Sequence, residues 1–250
     1  MCYNIQYMEA KAKKLAERYA NVLSDNFEPH SSLSDLSTYH IVSGFDFPLL
    51  PIIKSDGIFL YEWGLIPRWV QDDKDASVIR VSTLNARSET VCEKPSFKHS
   101  IVTQRCLLPV NGFFESQDFN HEKYPHFIKL KSQEIFSLAC IFETWKDLKH
   151  QRWRNTFSIL TTPANPMMEK IHNIKKRMPL ILKKEDEGKW LNPNTSKEEI
   201  LPFFKPYEEG DMQSRTVSKL ANNPKTNRNI PSITAHVHYP ELSSVQLTLF

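Results

Sequence analysis

IVTQRCLLPV (101–110), PHFIKLK (125–131), IFSLACIFE (135–143) and NTFSILTT (155–162) are four apolar runs at regular spacing. They are rich in β-branched and aromatic residues, and Asn111-Gly112 or charged turns separate them. Such a series predicts an antiparallel sheet that curls on itself. Upstream, CYNIQY (2–7) and GIFLYEWGLI (57–66) read as strands, the second stopped by Pro67. A loop is expected through Asp72, Asp73, Lys74 and Asp75.

Helical signals flank this β-rich centre. Over residues 8–25, Ala12, Leu15, Ala16, Tyr19, Val22 and Leu23 share one face and Lys11, Lys13, Lys14, Glu17 and Arg18 lie mostly opposite. Asn165 followed by Pro166 predicts an N-cap and a first helical residue, with His172 at the far end of that helix. Ser196 and Glu199 form a capping-box pattern before Ile200 and Leu201. With no internal repeat or low-complexity linker, the chain reads as one α+β domain over residues 1–240 and a tail over 241–250.

The 250 residues include 40% hydrophobic and 11% aromatic side chains, enough for a packed core. Six Gly stand against 16 Pro, so the loops are stiff. A net charge of +3 is too small to mark a nucleic-acid binder by itself. The four cysteines, Cys2, Cys92, Cys106 and Cys140, contain no C-x-x-C pair, which argues against a zinc site. No metal or cofactor is expected. Cys106 and Cys140 sit in apolar runs as buried thiols, and a reducing compartment follows. Without an apolar leader or a long apolar run, the sequence predicts a cytoplasmic protein that does not enter a membrane.

The start, Met1-Cys2, holds unusual chemistry. Removing Met1 leaves Cys2 with a free α-amine and a thiol on one residue. Such a 1,2-aminothiol attacks an aldehyde twice, first as a Schiff base and then by closing a thiazolidine. The plainer reading is a small buried hydrophobe on a first strand. Three further segments also have two readings each. Asn85 and Arg87 in LNARSE (84–89) suit a site that orients a polar substrate and holds phosphate, or an Asx-turn beside a surface Arg. Glu115, after Phe113 and Phe114, is either a carboxyl with a raised pKa or a strand-end Glu facing water. His172, followed by Lys175, Lys176 and Arg177, is either a proton carrier among phosphate ligands or a helix cap beside a solvated charge run.

Met1-Cys2, WGLIP (63–67), LNARSE (84–89), RCL (105–107) with GFFE (112–115), TT-x-AN (161–165) and His172 with RMP (177–179) occur in one order. That order resembles the SOS-response-associated peptidase (SRAP) family over nearly the whole chain. The resemblance implies a protein that binds single-stranded DNA and crosslinks covalently to abasic sites through its mature N-terminal Cys. It implies Cys2 as nucleophile, with Asn85 holding its amine or the opened deoxyribose. Glu115 would move protons near that amine, and His172 would assist sugar opening. Thr161 would line the pocket, Arg87 and Arg177 would hold phosphates, and Trp63 and Trp69 would stack on exposed bases. The implied fold is a single domain around a curled, mostly antiparallel sheet, nucleoid-associated in the cell. The family name adds a peptidase activity, most directly removal of Met1.

Four departures from that pattern affect DNA geometry. Tyr3 and Asn4 stand where Gly and Arg are usual, and Ser116 stands where an aromatic is common. Ile174, Lys175 and Lys176 are inserted, and the helix over 8–25 is an addition. The two Lys residues would restore the charge missing at position 4.

The chain ends QLTLF (246–250). This resembles the peptide that docks bacterial proteins on the replicative sliding clamp, with Gln246 hydrogen bonding and Leu247, Leu249 and Phe250 meeting an apolar pocket. The alternative is a last strand. Two other functions compete for the chain: an N-terminal-nucleophile amidase using Cys2, and a non-catalytic single-strand binding module.

Overall fold

The computed structural model describes residues 2–23, 33 and 36–243. Its strands are β1 Asn4–Tyr7, β2 Tyr39–Ser43, β3 Leu49–Lys54, β4 Gly57–Trp63, β5 Asn85–Arg87, β6 Arg105–Val110, β7 Gly112–Phe119, β8 Glu122–Leu130, β9 Phe136–Asp147, β10 Arg152–Pro163, β11 Arg177–Pro179, β12 Ile181–Leu182 and β13 Met212–Thr216. The helices used below are α1 Ala12–Arg18, α2 Asp73–Ser82, α3 Ser100–Thr103, α4 Pro166–Ile171 and α5 Glu187–Leu191.

The strands build two sheets. One is open and antiparallel, in the order β13-β8-β7-β1-β2. In the other, β3, β4, β10, β9 and β6 close a ring, because β10 pairs with β4 along one edge and with β9 along the other. The expected curling is therefore a closed five-stranded barrel, and closure leaves those strands no free edge. It is mostly antiparallel, with β10 running parallel to β4 and to β5.

The turn from β6 to β7 carries the chain from one sheet into the other. Asn111 fixes it from both ends: Oδ1 accepts from Met8 N at 2.8 Å and Nδ2 donates to the Glu134 carbonyl at 3.2 Å. Gly112 follows because a Cβ there would lie 2.4 Å from the Phe127 ring and 2.7 Å from the Ile128 carbonyl. The crossing places Glu115 on the open sheet against the barrel. Between the sheets lies an apolar cluster containing Cys2, Ile5, Trp63, Phe113, Phe136 and Phe157.

Several boundaries differ from expectation. The helix read over 8–25 is the short α1, although its apolar face is buried as expected at Ala12, Leu15, Tyr19 and Leu23. Its stop is tertiary: the Arg18 guanidinium turns to Glu187 of α5 at 2.8 Å. The run 101–110 divides into α3 and β6, because Arg105 points its guanidinium at helix-end carbonyls of Ile101, Val102 and Asn192. The loop expected through Asp72–Asp75 is the start of α2, with Asp72 as its cap accepting from Asp75 N. The Asn165 cap, the Ser196–Glu199 capping box and the placement of His172 agree with the sequence reading. Gln246, Leu247, Leu249 and Phe250 lie outside the described residues. Among the described residues no helix is long and apolar enough to cross a membrane.

Candidate functional site

Cys2, just ahead of β1, is fully buried, while its neighbours Tyr3 and Asn4 line an open groove of about 940 Å³. Asn85 at the start of β5 reaches it from the barrel. Its Nδ2 donates to the Cys2 carbonyl at 2.9 Å. The other amide atom, Oδ1, is buried without a hydrogen-bond partner among the described residues. A buried, unsatisfied acceptor is costly, so it marks a place where a donor is due.

Glu115 enters from β7 and His172 from the end of α4. The His172 Nε2 stands 3.7 Å from Glu115 Oε2. Its Nδ1 lies 2.8 Å from the Arg177 carbonyl, which can only accept, so Nδ1 carries the hydrogen and Nε2 is bare. Burial raises the Glu115 pKa to about 7. Burial, with nearby positive charge that includes Lys175 and Arg177, lowers His172 to about 4. The usual order is thus inverted: near neutrality the imidazole is uncharged and the carboxyl exchanges the proton. Burial, helped by the Glu115 charge, raises the Cys2 thiol above its ordinary value.

Rigid supports hold this pair. Asn165 Oδ1 caps α4 by accepting from Met168 N at 2.8 Å, and its Nδ2 donates to the Tyr207 carbonyl at 2.7 Å. Asn173 bridges to β7 through the backbone of Asp118. Lys175 and Ile174 stand on the groove wall beside His172, and Ile174 is 71% exposed. Phe45, half exposed, meets the Tyr3 ring with centroids 4.8 Å apart.

The fold brings Cys2, Asn85, Glu115 and His172 together, with Lys175 alongside. Arg87 is exposed and its charge reaches Tyr3. Lys176 is exposed at a left-handed turn, and its own side chain is not part of the groove lining. Other expectations need correction. Trp63 is fully buried, donates Nε1 to the Leu84 carbonyl at 2.8 Å and stacks on Phe157, so it has no face for a base. Trp69 is half exposed but lies outside the groove, its Nε1 turned to the Pro95 carbonyl. Thr161 is buried behind the site, where its Oγ1 accepts from Arg177 at 3.1 Å. Arg177 is buried and committed to Glu89 and to the Thr161 carbonyl at 2.7 Å, so its charge is already matched. Sequence reasoning gave Asn173 no role, although it directly follows His172.

The family model described as SOS response associated peptidase (SRAP) matches residues 1–224. The abasic site processing protein YoqW of Bacillus subtilis is 41% identical over 167 residues, 66% of this chain and 71% of that protein. The abasic site processing protein HMCES of Rattus norvegicus is 30% identical over 68% of this chain and 54% of its own length. A crystal structure of a Bacteroides thetaiotaomicron protein is 37% identical, with a TM-score of 0.85 across 95% of this chain and all of that one.

Proposed function

The chain belongs to the SOS response associated peptidase (SRAP) family, and from that premise we propose that it processes abasic sites in DNA by crosslinking to them through Cys2. The observation that carries the reading is the convergence of Asn85, Glu115 and His172 on Cys2 at the edge of an open groove.

The chemistry proceeds once Met1 is gone, by self-cleavage at Cys2 or by an aminopeptidase. An abasic deoxyribose in its open form presents an aldehyde. The Cys2 amine adds to that carbon, and water leaves as the Schiff base forms. The sulfur then adds to the same carbon, and the thiol proton passes to the nitrogen, giving a thiazolidine. One water is released in all. A thiol held protonated by burial is a poor first nucleophile, so the amine leads. Glu115 takes and returns protons near pH 7. The neutral His172 accepts from the sugar hydroxyl during ring opening. Asn85 Oδ1 receives the amine or a sugar hydroxyl.

Single-stranded DNA is the proposed partner, since the groove must admit an unpaired sugar; Lys175 on the groove wall, and the exposed Arg87 whose charge reaches Tyr3 at its edge, would meet its phosphates. The reading locates the protein in the cytoplasm, at the nucleoid. It also gives the tail Gln246–Phe250 the task of docking on a replicative sliding clamp. The deciding experiment is a denaturing gel of protein with single-stranded DNA carrying one abasic site. A heat-stable shifted band in wild type, absent in Cys2→Ala, is expected. No band from protein whose intact mass confirms a free Cys2 would sink the proposal.

A further inference from the structure

The groove that Tyr3 and Glu115 line has a further wall, made by Asn222, Pro224 and Thr226 to Asn229. The family-model match stops at residue 224, so most of this wall lies past it. Ser116 lets the wall approach. Its Oγ sits 2.9 Å from Asn222 Oδ1, in space that an aromatic side chain at position 116 would fill.

Two amides of the wall, Asn227 and Asn229, share one polarity, whereas the groove's carboxylates, Asp46, Glu115 and Asp118, come from other segments. Asn229 Oδ1 accepts from the His40 backbone N–H at 2.7 Å, and Asn227 Oδ1 accepts from the Asn229 N–H at 3.0 Å. Both amides therefore spend their oxygens on backbone N–H groups of the chain itself, at the surface. Their Nδ2 groups meet no acceptor among the described residues, and both residues line the groove. Arg228 stands between them, one arm fixed on the Ala221 carbonyl at 2.7 Å. Burial lowers the Arg228 pKa from its ordinary value, and the nearby Asp46 charge works against that fall. Lys123 adds a further cation from β8. A surface that offers donors matches a ligand that offers acceptors. Phosphate oxygens do so at every nucleotide, whereas base edges present donors and acceptors in turn.

We infer that Asn227, Arg228 and Asn229 form a backbone-holding wall that grips the phosphates of a single DNA strand beside the lesion sugar. The inference rests on the abasic-DNA reading above and names the part of this chain that anchors the strand. Holding is independent of base sequence, because the contacts end on phosphates.

The test exchanges donor for acceptor without disturbing the loop. In the double variant Asn227→Asp, Asn229→Asp, an oxygen still receives Asn229 N and His40 N, while the free donors are lost. Binding is read by fluorescence anisotropy on labelled, undamaged oligo-dT and oligo-dA. The expected result is binding weaker by about tenfold on both, the size of losing charge-assisted hydrogen bonds. A control with the same charge change outside the groove, Gln213→Glu with Asn194→Asp, should stay within about twofold. Equal losses in the control, a variant of unchanged melting temperature that binds like wild type, or a loss on only one sequence would each overturn the inference. Wild type that binds the strand yet forms no crosslink removes the Cys2 chemistry and leaves the wall. Wild type that binds neither oligonucleotide removes both.

Discussion

Asn173 holds Asp118 by both of its backbone polar groups: Nδ2 donates to the Asp118 carbonyl at 2.7 Å, and Oδ1 accepts from the Asp118 N–H at 3.0 Å. This two-point bridge joins the residue after His172 to the strand that carries Glu115. It fixes the spacing of the proposed acid–base pair without touching substrate. Asn173→Ala removes both bonds at once. The expected cost is about 1–3 kcal/mol of stability, read as a lower urea midpoint. Crosslinking should slow more than strand affinity falls, because the Glu115–His172 distance loosens while the groove remains. A variant that crosslinks at the wild-type rate would show that this spacing does not matter.

The pH response should follow Glu115. Its pKa in the fold is raised to about 7 from an ordinary value near 4.5, so between those values the folded state holds the proton that the unfolded state has lost. Stability from this group is complete below about 4.5 and is lost as pH rises toward 7. The buried carboxylate then costs roughly 2–4 kcal/mol at pH 8. His172 and His126, both lowered to about 4 by burial, act in the other direction, since the unfolded state takes up their protons first as pH falls below about 6.5. Glu115→Gln should therefore be more stable than wild type at pH 8 and nearly equal at pH 5, by urea melts. Wild type should crosslink faster as pH passes about 7, and the same variant should lose that rise. Equal stability differences at both pH values would contradict the raised Glu115 pKa.

Two arginines that look alike in sequence should behave differently. Arg87 is exposed near the groove, so Arg87→Gln should weaken strand binding and reduce the salt slope by about one phosphate contact, with melting unchanged. Arg177 is buried against the half-exposed Glu89 and the buried Thr161, so Arg177→Gln should lower stability by about 1–3 kcal/mol, mainly because the Thr161 carbonyl and hydroxyl lose their donor while water can hydrate Glu89. Titrations over a salt series and urea melts of both variants separate the two roles. An unchanged salt slope for Arg87→Gln would remove it from the DNA contacts.

The curled sheet was legible because its strands have period and punctuation: apolar runs, Asn111-Gly112, and a proline after β4. The four residues of the candidate site were legible only through the order of their motifs, since each alone has a plain structural reading. What stayed hidden depends on partners distant in sequence. Trp63 looks like a base-stacking residue until Leu84 and Phe157 enclose it. Arg177 looks like a phosphate ligand until Glu89, a side chain 88 positions away, neutralises it. The start of α2 was missed for a different reason. Asp72, Asp73 and Asp75 read as a polar loop, although an acidic first turn behind an Asp cap is also how a helix begins.

The tail supplies the last prediction. Gln246, Leu247, Leu249 and Phe250 combine one amide with three apolar side chains, the kit of a short peptide that enters a pocket with a single polar anchor. None of the residues around Cys2 belongs to it, so docking and chemistry should separate cleanly. Deleting residues 246–250 should abolish binding to a purified bacterial sliding clamp in a surface-resonance assay. The rate of crosslinking to an abasic oligonucleotide should remain at the wild-type value. Replacing Leu249 and Phe250 by Ala should reproduce the deletion, since the apolar anchors provide most of the affinity of such a peptide. Clamp binding that survives both changes would remove the tail from the proposal and leave the site around Cys2 untouched.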